Sequence, residues 1–182
     1  MPLLSAERSV IVIVDIQERL APAIDGLDRV VSSVVKLVLG AQRLQIPIIV
    51  TEQYPEGLGA TVTAIRSSIG NATTISKRSF DATAEPELRA ALDSHGRPDI
   101  VVCGTESHVC VLQTAFGLAS MEGCRPIIVE DACGSRRESD RRRAMMRMDR
   151  AGIDIVTTEM VLFEWMRRAG TDIFRDIIKV IK

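Results

Sequence analysis

The chain predicts an α/β fold: a three-layer α/β/α doubly wound domain on a mostly parallel sheet of six strands, with residues 1–182 forming a single domain. Three observations carry this expectation. Runs of consecutive apolar residues recur, segments of helix length separate them, and each run stops at polar residues. A strand that is apolar on successive residues is buried on both faces, as in a parallel sheet covered by helices. Alternation with helices supplies right-handed crossovers.

The elements follow in order. The run 10–14 is the first strand, and 28–44 reads as a helix, with Val30, Val31, Val34, Val35, Val38 and Leu39 close to helical spacing. Runs 46–50 and, more weakly, 72–75 give the next two strands. Helix 85–92 opens on Ala84-Glu85-Pro86-Glu87, where a first-turn proline is tolerated and acids suit the positive helix end. Strand 100–103 leads into helix 107–121, which Glu122-Gly123 stops. Strand 127–129, helix 139–151 and strand 153–156 follow, and 159–181 reads as two short helices around Gly170. Gly57-Leu58-Gly59 reads as a flexible loop, and no linker or solenoid repeat interrupts the pattern.

Composition narrows the function classes. Lys and Arg number 23 against 24 Asp and Glu, so no global charge favours nucleic acid or an anionic membrane. Aromatics are 3% of residues, too few for a base-stacking surface. Four cysteines are too sparse for a disulfide scaffold. The longest uncharged run, 107–121, is too short and too polar to span a bilayer, and no leader pattern precedes the first strand. The expectation is a cytoplasmic protein with reduced thiols.

In doubly wound folds ligands bind beyond the carboxyl ends of the strands. No glycine-rich phosphate loop stands there. His95 and His108 are the only histidines, and the cysteines form no C-x-x-C pair, so zinc ligand spacing is absent; spacing leaves a carboxylate site for magnesium open, but nothing demands one and no metal is expected. Nucleophilic catalysis fits better. Cys110 stands near the start of the helix after the fourth strand, where unpaired N–H groups favour a thiolate and could hold an oxyanion. Asp15 ends the first strand and offers a base, and Lys77 follows the third and offers a cation. Each residue also has a bland reading, as a core cysteine, a loop cap and a solvated lysine. Cys103, Cys124 and Cys133 read as structural. Tyr54 and Phe80, at strand ends, are candidates for the pocket wall.

At these residues the chain resembles the isochorismatase-like cysteine hydrolase family, which includes nicotinamidases. The blocks are Val14-Asp15-Ile16-Gln17, Lys77-Arg78-Ser79-Phe80 and Gly104-Thr105-Glu106-Ser107-His108-Val109-Cys110-Val111. The stretch Thr51-Glu52-Gln53-Tyr54-Pro55-Glu56-Gly57-Leu58-Gly59 looks like the isochorismatase domain-containing branch. The resemblance implies a catalytic triad of Asp15, Lys77 and Cys110. It implies a cis peptide between Thr105 and Glu106, with the N–H groups of Glu106 and Cys110 as oxyanion hole. Gln17, Tyr54 and Phe80 are assigned to the substrate pocket. The implied reaction is hydrolysis of a small amide or related carbonyl compound through a thioester, without cofactor, in a homo-oligomer. Nicotinamidases bind a metal through Asp and His after the second strand. Here that stretch has no histidine. True isochorismatases lack the nucleophilic cysteine.

Two other readings stay open. One is a catalytically silent binding or scaffold protein on the same fold. The other, ranked far below, is a nucleic-acid binder using Arg136, Arg137, Arg141, Arg142, Arg143, Arg147 and Arg150, which interleaved acids make a solvated helix face instead. Trp165, with Leu162, Phe163 and Met166, forms either an interface patch or a packed tail.

Overall fold

The structure, a computed structural model, describes residues 2–181. Six strands, β1 (Ser9–Val14), β2 (Ile48–Gln53), β3 (Thr73–Lys77), β4 (Asp99–Thr105), β5 (Arg125–Gly134) and β6 (Asp154–Val156), form one sheet in the order β3-β2-β1-β4-β5-β6. Every pairing is parallel. The helices are α1 (Leu27–Arg43), α2 (Pro55–Leu58), α3 (Thr63–Arg66), α4 (Pro86–His95), α5 (Leu112–Ala119), α6 (Glu138–Arg150), α7 (Thr158–Met166) and α8 (Asp172–Ile181). One helical layer is built on α1, α7 and α8, and another on α5 and α6, with α4 joined to α5 through the turn Ala82–Ala84.

The core follows from the apolar runs. All of β1 and β4 is buried, because both are central strands with helices on each face. The chain order reverses between β1 and β4, so the crevice of this fold opens above those two strands. Gly104 permits their close approach. Its φ is +128°, and a Cβ there would stand 2.0 Å from the Val14 carbonyl oxygen. The tail is packed: Trp165 is buried and donates its Nε1–H to Ser9 Oγ at 2.9 Å, whereas Phe163 is exposed.

Several sequence expectations are corrected. Strands two to five run on past their apolar runs: Thr51 to Gln53, Ser76 and Lys77, Gly104 and Thr105, and Glu130 to Gly134 belong to the strands. Glu130 and Asp131 lie inside β5, where β4 advances from Val102 to Gly104 while β5 advances from Ile128 to Cys133. This bulge turns their side chains to structural work. Asp131 accepts from the Thr158 N–H and hydroxyl at the start of α7, and Glu130 holds Arg141 of α6. Gly57, expected in a flexible loop, belongs to α2. The Tyr54 ring lies so near that a Cβ on Gly57 would come within 2.4 Å of it. Among the described residues no helix is long and apolar enough to cross a membrane.

Candidate active site

Asp15 follows directly on β1 with φ at +51°, a left-handed conformation uncommon outside glycine but tolerated by Asp. Neighbouring strands hold it there. Its N–H donates to the Thr51 carbonyl at 3.1 Å, and its carbonyl accepts the Thr105 hydroxyl at 2.7 Å. The carboxylate is fully buried. Oδ1 accepts the Thr51 hydroxyl at 2.7 Å. Oδ2 lies 2.7 Å from Lys77 Nζ, but the contact is an ion pair outside hydrogen-bond geometry, so Oδ2 retains an unfilled acceptor site.

Lys77 ends β3, two strands from Asp15, and its side chain lies in the crevice with no exposure. Besides Asp15, its ammonium donates to Gln53 Oε1 at 2.6 Å and to the Ser79 carbonyl at 3.2 Å. The bland alternative for Lys77, a solvated lysine, does not hold.

Cys110 arrives from the far side of β1. The Thr105–Glu106 peptide is cis, and Ser107–Val111 form a π-helical turn before α5 begins. Cys110 therefore precedes the α-helix instead of standing in its first turn; such π turns recur at functional sites. Three successive contacts fasten this loop to the end of β5 and the residues after it. Glu106 pairs with Arg136 at 2.8 Å, the Ser107 hydroxyl donates to the Gly134 carbonyl at 3.0 Å, and His108 Nδ1 meets Ser135 Oγ at 3.1 Å.

The thiol interacts with both members of the ion pair. Burial pushes Cys110 up to about 12, the Asp15 carboxylate adds to the rise, and the Lys77 ammonium works against it. The thiolate expected from the helix N-terminus is thus not the resting form at neutral pH. Desolvation of a thiol only 6% exposed outweighs the partial charge of the turn.

The expected pocket residues divide. Gln17 is fully buried and saturated. Its Nε2 donates to the carbonyls of Gln53 and Gly59 at 3.0 and 2.7 Å, and its Oε1 accepts the Gln53 N–H at 2.8 Å. It clamps β1 to β2 and leaves no amide hydrogen for a ligand. Tyr54 and Phe80 are exposed on the loops after β2 and β3, with the Arg78 guanidinium 4.3 Å from the centre of the Tyr54 ring.

The isochorismatase domain matches residues 9–160, a span that contains all of these groups. The chain belongs to the isochorismatase family. This family member is 34% identical over 177 residues to isochorismatase domain-containing protein 2A of Mus musculus, covering 97% of this chain and 84% of that one. It is 36% identical over 179 residues to isochorismatase domain-containing protein 2 of Danio rerio, covering 98% and 89%. Among solved structures, MAR1 ribonuclease from Caenorhabditis elegans superposes with a TM-score of 0.92 at 30% identity, covering 99% of this chain and 92% of that one. Such membership is consistent with a hydrolase.

The metal that some isochorismatase relatives carry after the second strand does not fit this member. Glu52 Oε1 accepts both the N–H and the hydroxyl of Thr61, at 2.6 and 2.7 Å, and the Gln53 amide is engaged by Lys77 and the Arg78 carbonyl. No group of three or more His, Cys, Asp or Glu side chains among the described residues is placed to hold a metal. The sequence assigns no individual role to Thr51, Gln53 and Thr105, although each stands among the polar residues that follow an apolar run at the sheet's carboxyl edge.

Proposed function

We propose that this family member is a cysteine hydrolase of a small amide or related carbonyl compound, working through a thioester. One observation carries the reading: a buried carboxylate, ion-paired to Lys77 at 2.7 Å, sits close enough to the Cys110 thiol for both charges to bear on its proton. With the resting thiol protonated, Asp15 takes the proton as sulfur attacks the carbonyl carbon. Lys77 offsets the negative charge as it passes from the Asp15 carboxylate through sulfur to the carbonyl oxygen. The N–H groups of Glu106 and Cys110 are the proposed oxyanion donors. Collapse of the tetrahedral intermediate breaks the C–N bond, and the leaving amine takes the proton from Asp15. Water, deprotonated by Asp15, then cleaves the thioester and regenerates the thiol. No cofactor enters these steps.

The test is ammonia release from a panel of small primary amides by the purified chain, with Cys110→Ala as control. Acid quenching during turnover should trap an acyl adduct on Cys110, visible as added mass. Release that persists in Cys110→Ala removes the nucleophile from this reading, and no release across the panel favours the silent scaffold. An RNA arm separates the activity named for the C. elegans relative. RNA cleavage that depends on Asp15 or Cys110 would replace the carbonyl substrate. The accompanying expectations are a cytoplasmic homo-oligomer and no nucleic-acid partner, which light scattering and heparin retention check for assembly and polyanion binding.

A further inference from the structure

The ammonium of Lys77 has three oxygen neighbours, of which only one carries charge: it donates to Gln53 and to the Ser79 carbonyl, and it is ion-paired with Asp15. Gln53 and Lys77 are register partners at the carboxyl ends of β2 and β3, so their side chains leave the same face of the sheet. The orientation of the Gln53 amide is fixed by chemistry. Its Nε2 donates to the Arg78 carbonyl at 2.8 Å while its Oε1 faces the ammonium at 2.6 Å. The flipped amide would set two donors against each other on one side and two acceptors on the other. Gln17 in turn fixes the Gln53 backbone through both its N–H and its carbonyl, at 2.8 and 3.0 Å.

We propose that Gln53 is a positioning residue: a neutral acceptor that orients the Lys77 ammonium without competing for its charge. A carboxylate at the same place would satisfy the same hydrogen and hold the same geometry. It would also put a second negative charge beside the cation that Asp15 and Cys110 use. The neutral amide keeps the buried count at one cation to one anion, which is the balance a buried pair requires. The proposal rests on the hydrolase reading for the identity of Cys110 as the reacting sulfur, but its test needs no substrate.

The readout is the rate at which iodoacetamide labels Cys110 in the folded full-length chain, followed by peptide mass mapping between pH 4.5 and pH 8.5, roughly the span over which a carboxyl of shifted pKa titrates. In Gln53→Glu the rate relative to wild type should fall as pH rises and the introduced carboxyl ionises, by about tenfold over that range, and return toward wild type at the acid end. The protonated carboxyl reproduces the amide's pattern, accepting from Lys77 and donating to the Arg78 carbonyl. In Gln53→Met the relative rate should be lowered by about tenfold at every pH, because the ammonium loses its acceptor. Gln17→Met cuts the backbone clamp but not the acceptor, so it should lose comparable stability in urea while keeping the labelling rate within about threefold. A pH-independent ratio in Gln53→Glu overturns the proposal. So do labelling losses at positions 53 and 17 that simply track the urea midpoints, and that comparison decides if Gln53→Glu does not fold. Labelling that behaves as expected in a protein that hydrolyses no amide would leave the positioning role standing and remove the amide substrate.

Discussion

Lys77 Nζ lies 2.7 Å from Asp15 Oδ2, and neither side chain has any exposure to solvent. Each charge has left water and has its counterion in the other. Breaking such a pair by removing one partner costs about 3–5 kcal/mol, because the survivor stays buried and uncompensated. Asp15→Asn leaves the ammonium to the neutral acceptors Gln53 and Ser79, and Lys77→Met leaves the carboxylate with the Thr51 hydroxyl. Stability and chemistry are therefore tied at Asp15. We expect each single variant to lower the urea midpoint strongly, and the double variant to lose clearly less than the sum of the two. Additive losses in this cycle would show that the two charges are not coupled.

The approach of β1 to β4 makes Gly104 the glycine least open to substitution. A Cβ there would stand 2.0 Å from one backbone atom of Val14 and 2.7 Å from another, so the strands themselves would have to part. Asp15 and Thr105 are the next residues on each strand, and their contact at 2.7 Å would be lost with the separation. Gly104→Ala should lose several kcal/mol, roughly as an overpacked core site with added backbone strain does. Gly96→Ala is the control. Its φ is +60°, but nothing stands within 4 Å of the added carbon. It should cost only about 1–2 kcal/mol, the left-handed penalty alone. Equal losses in thermal melts would place the constraint at Gly104 in its dihedral and not in strand contact.

The raised Cys110 thiol reverses the order of reactivity that a helix-terminal thiolate predicts. Cys103, Cys110 and Cys133 are buried, and Cys124 alone is partly open to solvent. Burial raises Cys124 too, but Cys110 is pushed up to about 12. A bulky anionic aromatic disulfide should therefore react first with Cys124 in the folded protein. Cys124→Ser should remove that fast phase and Cys110→Ser should leave it. A fast phase lost in Cys110→Ser instead would mean that Cys110 rests as a thiolate in an open site.

The strands were legible in the sequence because burial on both faces writes itself as unbroken apolar runs. Where burial is one-sided the signal thins: β3 exposes Thr73, Thr74 and Ser76, and only Ile75 gave it away. Asp15, Lys77 and Cys110 were legible as types at strand ends and from the family blocks. The Asp15–Lys77 contact came only through the family blocks, because it depends on β3 lying two places from β1, which no local pattern encodes. The engagement of Gln17 was hidden for a related reason. A buried amide looks the same in sequence whether it meets a ligand or, as here, two backbone carbonyls and an N–H. The β5 bulge was invisible because Glu130 and Asp131 carry the polarity of a loop while remaining on a strand.

The buried thiols also set an alkaline limit on the fold. Burial raises Cys110 and Cys133 to about 12 from an ordinary value of 9.0, and lifts Cys103 well above it. In each case the folded chain keeps a proton that the unfolded chain gives up as pH passes about 9. The unfolded state then binds fewer protons than the folded one, so stability falls as pH rises. The contribution is fully present below pH 9 and is lost progressively toward pH 12, at about 1 kcal/mol per pH unit for each thiol. Cys133→Ala removes one of these protons and leaves the proposed nucleophile alone, at the cost of a small cavity. We therefore expect urea midpoints of the wild type to be level from pH 7 to about 8.5 and to drop steeply by pH 10.5. Cys133→Ala should start lower and fall with a visibly shallower slope. Parallel slopes in the two proteins would move the alkaline limit to other groups, with the buried thiols excluded as its source.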